Sequence, residues 1–168
     1  MRSFIRRFLC VAALLSADVA GAQVLALGSP APEIDLPLLT GGRLSLSGQR
    51  GHPVIVSFWG TWCPPCKAEF PQLVRVHREN AATGLQVLAV NGLDQESSTK
   101  VIHKFVQRYG ATFPVLLDER GAMRQVYHIP GLPMTVFIDS AGVVRRVHTG
   151  PISVTELNAG VALIAPRS

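Results

Sequence analysis

Two cysteines three positions apart, in the run Trp62-Cys63-Pro64-Pro65-Cys66, have the spacing of a redox-active dithiol. They follow the apolar run Val54-Ile55-Val56-Ser57-Phe58-Trp59 and open a helical pattern, so a buried strand would deliver Cys63 to a helix start. Unpaired backbone N–H groups and the positive end of the helix dipole at that point favour a thiolate over a thiol. Cys63 is therefore read as the nucleophile. Cys66, about one helical turn along, can attack a mixed disulfide on Cys63 and is read as the resolving thiol. Pro64 and Pro65 between them remove two donors and fix two φ angles. One effect weakens the hold on the thiolate and the other stiffens the turn; the two can oppose each other in the potential, whose value the residue order does not fix.

The elements that must position this pair are legible as alternating patterns. Ile34–Leu39 and Leu44–Leu46, separated by Thr40-Gly41-Gly42, read as a small hairpin. Val54–Trp59 reads as a strand buried on both faces, followed by a helix from Pro65 to about Ala81 that Pro71 should kink. Leu85–Asn91 reads as a second buried strand. Residues Gln95–Tyr109 repeat Val101, Ile102, Phe105, Val106 and Tyr109 at helical spacing before Gly110. Val115–Leu117 is a third strand, and a short helix spans Glu119–Tyr127. Met134–Ile138 and Val143–His148 flank the turn Asp139-Ser140-Ala141-Gly142, and Ser153-Val154-Thr155-Glu156 fits a capping box opening a last helix. The expected fold class is α/β, with a central mixed sheet flanked by helices on both faces.

The first residues point to export. Met1–Arg7 carry three arginines and no acid, Phe8–Ala17 are apolar, and Ala20-Gly21-Ala22 suits signal peptidase. Residues 1–22 are read as a signal peptide and 23–168 as one domain with its core at about 28–165. An uncleaved anchor is the alternative, although ten apolar residues fall short of the ~20 that span a bilayer. Cys10 lies in this segment, which leaves Cys63 and Cys66 alone in the mature chain and excludes a multi-disulfide scaffold. Losing three arginines and one aspartate lowers the net charge from +5 to +3. No basic cluster with interleaved aromatics remains to suggest nucleic acid.

The run Trp62-Cys63-Pro64-Pro65-Cys66-Lys67, Pro71 five residues after the second cysteine, and Gly131-Leu132-Pro133-Met134-Thr135 before a strand resemble the thioredoxin superfamily in identity and order. The hairpin, the helix and strand at about 95–117, and Cys66-Lys67-Ala68-Glu69-Phe70-Pro71 are similar to its TlpA/ResA branch. These are exported, membrane-associated or periplasmic thiol-disulfide oxidoreductases. The resemblance implies a thioredoxin-like fold with an N-terminal hairpin and a central helix–strand insertion. It also implies a cis Pro133 facing the dithiol, with the backbone of Leu132 turned outward to pair with an extended client. Trp62, Pro64, Gly131 and Leu132 would form an apolar rim around Cys63. Apocytochrome c is the implied client and a membrane thiol-disulfide electron donor the implied partner. A monomer without cofactor is expected.

One departure matters. Thioredoxins carry a buried aspartate six residues before the first cysteine, and here that residue is Ser57. Glu69, three residues after Cys66, stands where the ResA-like branch has a glutamate near its dithiol. Buried there, its carboxyl group would have a raised pKa suited to moving the Cys66 proton. The plainer alternative is a solvated glutamate in the first turn of a helix.

Other chemistries fit less well. Zinc needs four ligands, and His52, His77, His103, His128 and His148 are scattered, so no metal site is expected. Lys67 stands where haem attachment needs histidine. A peroxidase would want a proline and a threonine where Val56 and Gly60 stand. A purely structural bridge would close too short a loop to stabilise much. Oxidation of client thiols uses the same residues, and a reduced dithiol would also suit copper(I) binding or copper-centre assembly.

Overall fold

The computed structural model describes residues 25–165, so the signal-peptide reading and Cys10 lie outside the described residues. The hairpin is β1 (Asp35–Pro37) and β2 (Arg43–Ser45), paired antiparallel. The central sheet comprises β3 (Val54–Trp59), β4 (Gln86–Asn91), β5 (Val115–Leu117), β6 (Met134–Ile138) and β7 (Val144–Thr149), in the order β5-β4-β3-β6-β7. β3, β4 and β5 run parallel, while β6 is antiparallel to both β3 and β7. The helices are α1 (Pro64–Glu79), α2 (Thr99–Tyr109), α3 (Ala122–Val126) and α4 (Val154–Ile164).

The chain steps outward twice, from β3 to β4 and on to β5, so right-handed crossovers set α1 and α2 on one face. α4 joins them there. The core on that face includes Ile55, Trp59, Phe70, Leu73, Ile102, Phe105, Phe137 and Leu157 with both cysteines. Gly160 is what lets α4 lie close, since a Cβ there would fall 2.2 Å from the Phe137 ring. The other face is covered by α3, through Met123 and Tyr127, and by Ala31, Ile34 and Leu46 from the N-terminal segment. Strand β3 serves both faces, with Val54, Val56 and Phe58 on one and Ile55 and Trp59 on the other.

Both sheet edges are occupied. Near β7, Gly28 N–H donates to Val144 C=O and Val144 N–H to Ser29 C=O, and Pro30 bridges Val143. At the β5 edge, Leu38 bridges Leu116 and Leu39 N–H donates to Val115 C=O. On β7 this cover reaches only Val144, among the described residues.

Several boundaries move, each for a local reason. α1 begins at Pro64, with Cys63 as N-cap, and ends at Glu79 before a 3₁₀ turn and left-handed Gly84; Pro71 lies inside it. α2 starts at Thr99 rather than Gln95, because Gln95 closes a 3₁₀ turn and Glu96 is drawn away by Thr61. Val101, expected on the buried side of α2, is 37% exposed. α3 starts at Ala122 rather than Glu119, because the Asp118 carboxylate accepts from the N–H groups of Ala122 and Met123 and fixes the start there. β7 begins one residue later than the pattern suggests. Ser153 and Glu156 form the capping box on α4.

Candidate active site

Cys63 and Cys66 form a disulfide with Cα atoms 5.2 Å apart. Cys63 has extended backbone, as an N-cap requires, and its Sγ accepts from the Cys66 N–H at 3.2 Å. Because Pro64 and Pro65 occupy the first two helical positions, the Cys66 N–H is the first donor of α1 that can reach Sγ. Both cysteines are buried, at 2% and 1% exposure. Trp62 beside them is 44% exposed, its indole folded over Gly60, where any Cβ would collide with it.

Below the disulfide, an aromatic cluster joins β3, α1 and α2. The Trp59 ring lies 4.7 Å from Phe70 and 5.0 Å from Phe105, and Phe70 contacts Phe113 edge-on. Truncating a fully buried ring such as Phe70 to alanine costs about 3–5 kcal/mol. The dithiol therefore rests on a rigid floor.

Glu69 follows Cys66 by one turn of α1 and is 3% exposed. Its carboxylate accepts from Thr135 Oγ1 at 3.1 Å and from the Ile152 N–H at 3.3 Å. Burial pushes its pKa up to about 7, partly opposed by those two hydrogen bonds and by a smaller contribution from Ser57. Ser57 pairs with Thr135 across β3 and β6, and its buried hydroxyl has no well-formed hydrogen bond. The solvated reading of Glu69 is thus not what the structure contains. At neutral pH the carboxyl group is poised to take or give a proton.

The Leu132–Pro133 peptide bond is cis. Pro133 is buried, and its carbonyl accepts from the Gly150 N–H at 2.8 Å. Among the described residues, the backbone N–H and C=O of Leu132 have no hydrogen-bond partner. Leu132 is half-buried against the core cluster that holds the cysteines, while Gly131 and Pro64 are exposed. An extended chain could pair with Leu132 much as an added strand pairs with a sheet edge. Among the described residues no group of three or more His, Cys, Asp or Glu side chains gathers as a metal site.

Sequence reasoning missed a second glutamate. Glu96 accepts from the Thr61 N–H at 2.6 Å, from Thr61 Oγ1 at 2.5 Å and from Asn91 Nδ2 at 3.0 Å. It ties the loop that presents Trp62 and Cys63 to the end of β4. A contact across 35 residues leaves no periodic signal.

A family model described as AhpC/TSA matches residues 27–147. The thiol-disulfide oxidoreductase ResA of Bacillus subtilis is 35% identical over 153 residues, covering 91% of this chain and 84% of its own length. A solved structure from Chlorobium tepidum, assigned as a thiol:disulfide interchange protein DsbE, has a TM-score of 0.74 at 32% identity. The match covers 82% of this chain and 96% of that one. A secreted Mycobacterium tuberculosis disulfide oxidoreductase homologous to DsbE follows with a TM-score of 0.68 at 26% identity, covering 77% and 94%. A cysteine pair at a helix N-terminus, on a thioredoxin-like sheet and with these relatives, leads to one assignment: the chain belongs to the AhpC/TSA family and is a thioredoxin-like thiol-disulfide oxidoreductase.

Proposed function

We propose that the protein acts outside the cytoplasm as a reductant of client disulfides, with apocytochrome c the favoured client and a membrane thiol-disulfide donor restoring the dithiol. Export is supported by the leader-like residues 1–22 and by the secreted relative from Mycobacterium tuberculosis. The observation that carries the exchange chemistry is the buried Glu69 one turn after Cys66, whose pKa of about 7 suits it to the second thiol.

The Cys63 thiolate attacks one sulfur of the client disulfide. The client S–S bond breaks, one client sulfur leaves as a thiolate, and a mixed disulfide forms. Glu69 accepts the Cys66 proton, and the Cys66 thiolate attacks Cys63 Sγ. The mixed disulfide breaks and the second client sulfur leaves. Two electrons have passed to the client, and the protein is left with the Cys63–Cys66 bond seen here. During the reaction Trp62, Pro64, Gly131 and Leu132 contact the client.

Equilibration with defined thiol/disulfide buffers tests the direction. A reduction potential near or below about −200 mV supports the reductant, and one near about −120 mV assigns an oxidant instead. Cys63→Ser should abolish disulfide reduction, and Cys66→Ser should accumulate the mixed disulfide with a client. Normal turnover by Cys63→Ser would end the reading.

A further inference from the structure

We propose that the groove beside the dithiol, between α1 and α2, docks an acidic segment of the client flanking the disulfide to be exchanged; this rests on the exchange reading above. The groove has a volume of about 270 Å³ and is lined by Thr61, Lys67, Val101, Lys104, Phe105 and Arg108. Thr61 and Lys67 bracket the dithiol in the chain, so a client joined to Cys63 reaches the groove within a few extended residues.

What marks this groove is that three cations, Lys67, Lys104 and Arg108, gather around it. Arg43, Arg75, Arg124, Arg145 and Arg146 each lie within 4 Å of a carboxylate. Among the described residues Lys67, Lys104 and Arg108 have no such partner; Arg50, Arg78, Lys100 and Arg120 have none either, but do not line the groove. α2 carries Lys100, Lys104 and Arg108 at four-residue intervals on its exposed side and no acid from Thr99 to Tyr109. Like charges so spaced oppose helix formation by a few tenths of a kcal/mol each, offset in part where Arg108 meets the helix C-terminus and the Tyr109 ring. Glu96, held by Thr61 and Asn91, makes no ion pair with the groove cations among the described residues. Exposed Val101 and half-buried Tyr109 add apolar surface between the cations. Unpaired cations around a small apolar floor suit an acidic peptide with interspersed apolar residues.

The test measures exchange between the reduced protein and three synthetic peptides sharing one disulfide, flanked by three Glu, three Gln or three Lys residues. Hydroxyethyl disulfide serves as a neutral small substrate. The Glu peptide should react about tenfold faster than the Gln peptide at low salt, the Lys peptide slowest, with the spread shrinking as salt rises. Lys104→Glu combined with Arg108→Glu should reverse that order. Arg78→Glu, at an exposed unpaired cation in the last turn of α1, should keep it. Equal rates for the three peptides while hydroxyethyl disulfide reacts would overturn the groove and leave the exchange chemistry standing. So would an unchanged order in the double variant. Inertness of all four substrates would overturn both.

Discussion

Two glutamates stand on either side of β3, and they do different things. Glu69 reaches Thr135 on β6, with two long hydrogen bonds and deep burial that push its pKa to about 7. Glu96 reaches Asn91 at the end of β4 and binds Thr61 twice, with three shorter bonds. The first is under-served by its surroundings and therefore suited to exchanging a proton. The second is saturated and suited to holding the loop before Cys63. A residue type alone predicts neither; how deeply the carboxylate is buried, and how far its hydrogen bonds offset that burial, decide it.

This contrast can be pressed in order of expected effect. Because the folded pKa of Glu69 lies above its unfolded value, the native state binds that proton more tightly, and the contribution of Glu69 to stability is fully present only below about pH 4.5. It should be lost as pH rises from about 4.5 through 7, by roughly 3 kcal/mol. Urea unfolding from pH 4.5 to 8 should show that fall, and Glu69→Gln should flatten it. A parallel pH dependence in the variant would show the shift lies elsewhere.

Glu96→Ala should cost about 1–3 kcal/mol, because it strands the part-buried donors of Thr61 and Asn91. Glu96→Gln should recover part of that cost. Equal pH dependence for the Glu96 and Glu69 variants would erase the distinction between the two sites.

In disulfide exchange, the inflection near pH 7 should disappear in Glu69→Gln and persist in Glu96→Gln. The smallest effect is expected from Ser57→Ala. Its hydroxyl makes no well-formed hydrogen bond, so the inflection should rise by only a few tenths of a pH unit. A downward move would show that Ser57 does not favour the charged form of Glu69.

Much of this was readable from residue order because the informative patterns are short-range. The all-buried β3, the capping box at Ser153 and Glu156, and the N-cap position of Cys63 each depend on residues within one element. Glu69 was also accessible, because its distance from Cys66 along a helix is fixed by helix geometry. Its partners Thr135 and Ile152 were not, since they depend on how β6 and the segment before α4 come to lie beside α1. Glu96 illustrates the other limit. Helical periodicity placed it near the start of α2, yet a tertiary bond to Thr61 pulled it out. Val101 fell on the apolar stripe by spacing and reached the surface because α2 is docked on Ile102 and Phe105.

The pairing of Gly28 and Ser29 with Val144 sets an orientation for the whole domain. Val144 pairs with Ile138, which pairs with Val54 at the start of β3, whereas the dithiol follows Trp59 at the other end. A six-residue strand separates these poles by about 20 Å. The described chain therefore enters the sheet at the pole away from the dithiol, which leaves the Cys63 end clear of the N-terminal segment from Leu25 to Ser29.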